Sequence, residues 1–120
     1  MKKVAIIMGS DSDWPILKPA YEILMEFGIK AEVLVASAHR NPNTVREFVL
    51  NSEKNGISIL IAGAGAAAHL PGVIAAYTTL PVIGVPISSS VLKGMDALLS
   101  IVQMPSGIPV ATIAINGGKN

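Results

Sequence analysis

The chain has 120 residues and a mass of 12.4 kDa, the length of one domain. Folded and extended surfaces for that mass are roughly 6,100 and roughly 18,000 Å², so folding hides about two-thirds of the chain and a core forms without covalent staples. No cysteine and two histidines exclude disulfides, thiol chemistry and a structural zinc site, while 9 basic against 8 acidic residues, net +1 and without a basic stripe, argue against nucleic acid.

The first apolar segment, residues 4–8, follows Lys2 and Lys3. That start resembles a signal peptide, but the run is too short and Asp11 and Asp13 come directly after it. No apolar run is long enough to span a membrane, so the reading is a cytoplasmic protein. Residues 14–27 carry Leu17, Tyr21, Leu24 and Met25 at helical spacing, with Asp13 expected as the N-cap and Gly28 as the stop. A second strand is expected at 32–35 and a second helix at 43–55, opened by Asn41 and Pro42 and ended by Gly56. Further strands are expected at 57–62, 82–85 and 110–115, with short helices at 71–77 and 95–102.

The strand segments are rich in Val and Ile and continuous rather than alternating, as in parallel sheets covered on both faces. Strand and helix alternate, which gives a single α/β domain, a three-layer sandwich with right-handed crossovers. The two short helices are almost wholly apolar, and helices without a polar face must be covered on most sides. Only 14% of residues are charged against 51% apolar. Abundant Ala and Gly explain that plainly; burial of surface between subunits explains both features together and is the preferred reading. The chain stops just after the fifth strand, where a closing helix would normally follow.

In such sheets ligands sit beyond the carboxyl ends of the strands, where strand order reverses. Both histidines fall in the loops that follow strands. The first loop, Gly9-Ser10-Asp11-Ser12-Asp13-Trp14, offers two hydroxyls at a helix start, an anion site suited to phosphate. Its plainer reading is a Ser-rich turn, with Asp13 either a cap or a ribose acceptor. It matches neither a Walker A loop nor a dinucleotide fingerprint. The second loop sets His39 beside Arg40, a proton carrier next to a planar, permanent cation. Ser37 lies close by, but no nucleophile elbow surrounds it. The third loop, from Gly63 to Gly72, is built of small residues that let a flat ligand reach the backbone or let a helix pack tightly. His69 either lines the site or holds this loop. The run Ser88-Ser89-Ser90 reads as a turn. These residues together describe a cofactor-free site for a small, planar, phosphorylated molecule, with His39 as proton shuttle.

Four separated motifs carry a resemblance: Gly9-Ser10-Asp11-Ser12-Asp13-Trp14, Ser37-Ala38-His39-Arg40, Ala62-Gly63-Ala64-Gly65 with Ala68-His69-Leu70-Pro71-Gly72, and Gln103-Met104-Pro105 with Gly107-Ile108-Pro109-Val110. In that order they resemble the 5-(carboxyamino)imidazole ribonucleotide mutase family of de novo purine (IMP) biosynthesis, across residues 4–115. The resemblance implies a flavodoxin-like sheet of five parallel strands, a homo-octamer, and neither metal nor organic cofactor. It implies an isomerase that moves a carboxyl group from the exocyclic nitrogen of an aminoimidazole ribonucleotide to a ring carbon, through release and recapture of carbon dioxide. By motif position His39 is the acid and base. Ser10, Ser12, Asp13 and Arg40, with Ser37 and Ala38 beside them, hold phosphate and ribose. Gly63, Ala64, Gly65, His69 and Leu70 surround the carboxylate.

Two features depart from the family pattern. Gly65-Ala66 stands where two consecutive glycines are usual, and the family continues past the fifth strand into helices that pack on neighbouring subunits, a C-terminal helical tail that residues 1–120 lack. A sister branch carboxylates aminoimidazole ribonucleotide directly with carbon dioxide; it tends to carry Lys after the His and lacks the Ala-His-Leu-Pro run. Arg40 and Ala68-His69-Leu70-Pro71 favour the mutase here. A non-enzymatic nucleotide-binding domain is the third reading, since fold alone does not decide function.

Overall fold

The computed structural model describes residues 2–120. The continuous apolar runs form strands β1 (Lys3–Met8), β2 (Lys30–Val35), β3 (Ile57–Gly65), β4 (Val82–Ile87) and β5 (Ala111–Thr112). They pair in parallel in the order β2-β1-β3-β4-β5. That is the flavodoxin-like order, with its reversal between β1 and β3. Helices α1 (Trp14–Glu26), α2 (Pro42–Ser52), α3 (Leu70–Tyr77) and α4 (Met95–Val102) connect them.

Side chains of a strand alternate between faces, so β1 feeds two cores. Ala5 and Ile7 join Val45 and Val49 of α2, Ile74 of α3 and Ile101 of α4. Ile6 and Met8 join Leu17 and Ala20 of α1. Residues Val4 through Met8 are all buried, which is why their run needs no polar alternation. Three helices thus cover one face and α1 the other. In this single chain the outer side of α4 and the loop before it stay open: Val91, Leu92, Met95, Leu99 and Val102 are exposed. The accessible surface is 6631 Å², above the roughly 6,100 Å² expected of a folded monomer this size.

Helix ends follow local chemistry, with three departures from expectation, the first being that α2, expected to reach residue 55 before Gly56, ends at Ser52 and passes into turns. At the end of α1, Gly28 has φ +71°, and the amides of Gly28 and Ile29 donate to the carbonyls of Met25 and Leu24. Only glycine enters that left-handed position without a steric cost, so the helix stops there as its sequence requires. At the start, Asp13 does not cap. A single 3-10 turn, Asp11–Asp13, precedes α1, and the Ser10 hydroxyl accepts from the Ser12 amide at 3.3 Å. Asn41 precedes Pro42 as expected, but its side chain accepts from the Ser37 amide at 3.3 Å instead of capping α2. In both loops a nearby serine or backbone amide won the competition for the cap.

Strands β1, β2 and β4 run one or two residues beyond the sequence expectation, and β3 and β5 differ most. β3 runs on to Gly65, because Ala64 and Gly65 pair with Pro86 and Ile87 of β4. The fifth strand, expected over residues 110–115, is regular only at Ala111–Thr112. It is an edge strand with one neighbour; after Ile113 donates to Gly84 the chain turns, and Asn116 returns to donate to Pro86.

Candidate active site

The carboxyl ends of β1, β2, β3 and β4 open on one cavity of about 410 Å³, a size suited to a small ligand. Its walls include Ser10, Ser12 and Asp13 from the first loop, and Ser37, Ala38, His39 and Arg40 from the second. Ala64, Gly65, His69 and Leu70 close it from the β3 side. A larger depression of about 850 Å³ lies near the start of β4, between Tyr77, Pro81 and Gly107; Glu53 is the one charged residue lining it, and it holds no acid–base pair.

One expected site residue is elsewhere. Gly63 does not reach the cavity. It lies in β3 against α1, where an added Cβ would sit 2.7 Å from Leu17 Cδ1 and 3.0 Å from Ile87 Cδ1. It is a packing glycine, and the side chain it accommodates belongs to α1, not to the helix that follows its loop. Gly65 is two residues on and does line the cavity; a Cβ there would collide with the Ser89 hydroxyl and meet the Ile87 carbonyl at 3.0 Å.

The structure adds Gly9, Ala66, Ala67 and Ser89 to the walls. Ser89 corrects the reading of its run as a plain turn. Its neighbours do form the turn: Ser90 donates to Asp96 at 2.6 Å and accepts from the Leu92 amide, and the Ser88 amide donates to Asn116. Ser89 alone faces the cavity, carried there by the end of β4. Its position after a strand was the available signal.

The serine hydroxyls of the first two loops and the histidine rings have visible partners. The Ser10 and Ser12 hydroxyls lie 2.9 Å apart. The Ser37 hydroxyl accepts from the amides of His39 and Arg40, each at 3.1 Å. Ser37 is therefore the brace of the second loop, and that arrangement, not nucleophilic attack, is its visible role. Arg40 has no carboxylate within 4.0 Å among the described residues, the one ion pair there being Lys3 with Glu32. Its charge is left for an anion. Asp13 is buried, which pushes its carboxyl above the usual range; a hydrogen bond from the Ser10 backbone opposes this, and nearby Asp11 adds to it. Nε2 of His39 lies 2.7 Å from Nδ1 of His69, with the rings edge to face. Among the described residues no three His, Cys, Asp or Glu side chains gather as a metal would require.

Compared with known families, residues 3–120 match the one described as AIR carboxylase. The chain belongs to the AIR carboxylase family. Within this family it is 60% identical over 120 residues to the N5-carboxyaminoimidazole ribonucleotide mutase of Thermotoga maritima, covering all of this chain and 70% of that one. It is 62% identical over 117 residues to the protein of the same name from Pyrococcus horikoshii, covering 98% of this chain and 66% of that one. It is also 56% identical over 117 residues to the phosphoribosylaminoimidazole carboxylase of Saccharomyces cerevisiae, covering 98% of this chain but 20% of that much longer protein. Among solved structures, Treponema denticola PurE superposes with a TM-score of 0.87 at 27% identity, over 99% of this chain and 75% of that one.

Proposed function

We propose that this chain is an isomerase that converts 5-carboxyamino-1-(5-phosphoribosyl)imidazole to 5-amino-1-(5-phosphoribosyl)imidazole-4-carboxylate in de novo purine biosynthesis. The observation that carries the reading is one cavity in which His39 and Arg40 face Ser10 and Ser12, in a chain 60% identical to a named mutase. Arg40 and the two serine hydroxyls suit the phosphate: a fixed cation and two donors at a helix start. Buried Asp13 suits the ribose hydroxyls, which donate to a carboxylate.

The chemistry then needs one proton carrier. His39 gives a proton to the exocyclic nitrogen as its bond to the carboxyl carbon breaks and carbon dioxide leaves. The ring carbon attacks the trapped carbon dioxide and forms the new carbon–carbon bond. His39 takes back the proton from that ring carbon, which restores the aromatic ring. Protons balance, so neither redox chemistry nor a second acid is required. Ala64, Gly65 and Leu70 bring backbone and small apolar groups against the reacting end, where water must be kept out. The rim residues His39, Arg40, Ala66 and His69 are exposed in the single chain. Neighbouring copies in a homo-octamer, seated on the open apolar face of α4, complete the closure in this reading. In this reading the enzyme acts in the cytoplasm, residues 1–120 contribute a single α/β domain to it, and the reaction needs no cofactor.

An ultraviolet assay decides the point, with the carboxyamino substrate run beside aminoimidazole ribonucleotide plus bicarbonate. Conversion of the first alone is expected. Conversion of the second alone would make the chain a direct carboxylase, the reading favoured by the name of its yeast relative. Loss of turnover with retained ligand binding in His39→Asn is expected; full activity in that variant would defeat the mechanism.

A further inference from the structure

We infer that Ser89 is a further substrate-binding residue, its hydroxyl donating to the carboxyl group that is transferred, and that Asn116 and Asp96 position it from outside the cavity. The assignment rests on the mutase reading of that cavity. The run Ser88-Ser89-Ser90 leaves the end of β4, and its two outer members are tied to different parts of the fold. The Ser88 amide donates to Asn116 Oδ1 at 2.9 Å, and the Asn116 amide donates to the Pro86 carbonyl at 2.8 Å. Asn116 has φ +58°, a left-handed position that Asn tolerates better than most side chains. The Ser90 hydroxyl donates to Asp96, in the first turn of α4, at 2.6 Å and accepts from the Leu92 amide at 3.2 Å. The turn after β5 thus grips the run on one side and α4 grips it on the other. Neither Asn116 nor Asp96 lines the cavity; Ser89, held between their partners, is exposed and does. Its hydroxyl lies over Gly65, which pairs with Ile87 at the end of β3. A Cβ on Gly65 would collide with that hydroxyl and meet Ser89 Cβ at 3.0 Å, so the missing side chain at Gly65 is what gives Ser89 its place in the wall.

Place along the sheet decides which part of the ligand Ser89 meets. Ser10, Ser12 and Arg40, in the loops after β1 and β2, suit the phosphate. β4 lies beyond β3, two strand spacings or about 9–10 Å from β1. A ligand anchored by its phosphate at β1 and β2 turns its far end toward Gly65 and Ser89. In the substrate that end is the imidazole with its carboxyl group. The group is anionic on the exocyclic nitrogen before transfer and anionic on the ring carbon after it. A serine hydroxyl is a neutral donor that rotates, so it can follow the group from one attachment to the other. To either anion it gives a charge-assisted hydrogen bond. Ser89 keeps its own proton throughout, so the proton exchange between His39 and the ring is unchanged.

Titration calorimetry on the full chain tests this with two ribonucleotides: the 4-carboxylate product, and aminoimidazole ribonucleotide, which lacks the carboxyl group. A hydrogen bond to an ionised group carries a factor of roughly 10–100 in affinity, so Ser89→Ala is expected to weaken the 4-carboxylate by about 10-fold or more and aminoimidazole ribonucleotide by less than about 3-fold. Asn116→Gly keeps a residue suited to the left-handed backbone but frees the Ser88 amide. It is expected to lower the same affinity ratio by about 3–10-fold when Ser89 is present and to leave it unchanged in the Ser89→Ala background. A general loosening of the fold would weaken both ribonucleotides alike. Equal losses for the two ligands in Ser89→Ala, or no loss, would overturn the proposal. An Asn116→Gly effect of the same size with and without the Ser89 hydroxyl would overturn the positioning role. Binding of both ribonucleotides without turnover of the carboxyamino substrate would reject the mutase reading alone, and the affinity ratio would still judge Ser89. Binding of neither to the wild-type chain would overturn both.

Discussion

Ala66 is the residue whose replacement tests the site loop most directly. It follows β3, lines the cavity, is exposed, and has φ +51°. A side chain in the left-handed region sets its Cβ against the next carbonyl, at a cost of about 1–2 kcal/mol. Glycine avoids that cost but gives the unfolded chain more freedom, worth about 0.4–1 kcal/mol in the other direction. The methyl is exposed, so little burial is lost. Ala66→Gly is therefore expected to stabilise the fold by about 0.5–1 kcal/mol. Unfolding entropy for this length is about 0.25 kcal/mol per degree, so Tm should rise by about 2–4 °C. Thermal unfolding and urea titration measure this, with Ala66→Val as the opposite perturbation. A β-branched side chain tolerates positive φ poorly and should lower Tm. An unchanged or lowered Tm in Ala66→Gly would refute the reasoning, since it would mean that the methyl makes a contact worth more than the backbone strain.

Two glycines two residues apart should fail differently. Gly63→Ala overpacks Leu17 and Ile87 and should cost about 1–3 kcal/mol in urea unfolding while leaving KM of the folded enzyme near wild type. Gly65→Ala pushes on Ser89 and the Ile87 carbonyl inside the cavity wall, so it should raise KM; matched effects from both substitutions would contradict their placement. Arg40→Ala should weaken a phosphorylated ligand by about 1.5–3 kcal/mol, read by calorimetry, and its unphosphorylated nucleoside hardly at all. Asp13 carries a pH signature. Burial raises its folded pKa above the unfolded value of 3.8, so the native state binds the proton more tightly and the charged form destabilises it. Wild-type stability from this group is full below the unfolded pKa and is lost as pH rises through the folded pKa. Asp13→Asn should thus gain stability over wild type near neutral pH, with the gain fading in acid, while ligand affinity drops; denaturation at several pH values shows it, and a gain that grows in acid would reverse the sign.

The parts of the fold legible in the sequence were those written in local pattern. Unbroken Val and Ile runs marked strands buried on two faces, and Gly28 marked the end of α1 because its left-handed backbone is needed there. Caps were less legible. Asp13 and Asn41 have the right side chains in the right places, yet Ser10 and the Ser37 amide took the available bonds. The length of β3 was hidden for another reason: Ala64 and Gly65 look like loop, and only pairing with β4 makes them strand. The fifth strand was overread because its run looks like the others, but one neighbour supports less ladder than two.

The sequence by itself determined the chemical inventory of the site: a histidine beside an arginine, a serine-rich first loop, and small residues in the third. It also determined that these would gather, because strands of one parallel sheet present their following loops at one edge. The tertiary structure decided which of them touch. Strand order set His39 and His69 on either side of β1, 30 residues apart in the chain and 2.7 Å apart at their rings. Position along β3 set Gly63 against Leu17 of α1, while Gly65, at the carboxyl end of the same strand, lines the cavity. β4 brought Ser89 to the same wall. Local pattern fixes what a residue can form with its near neighbours; contacts between distant loops depend on sheet order and register, which are settled only when the whole core packs.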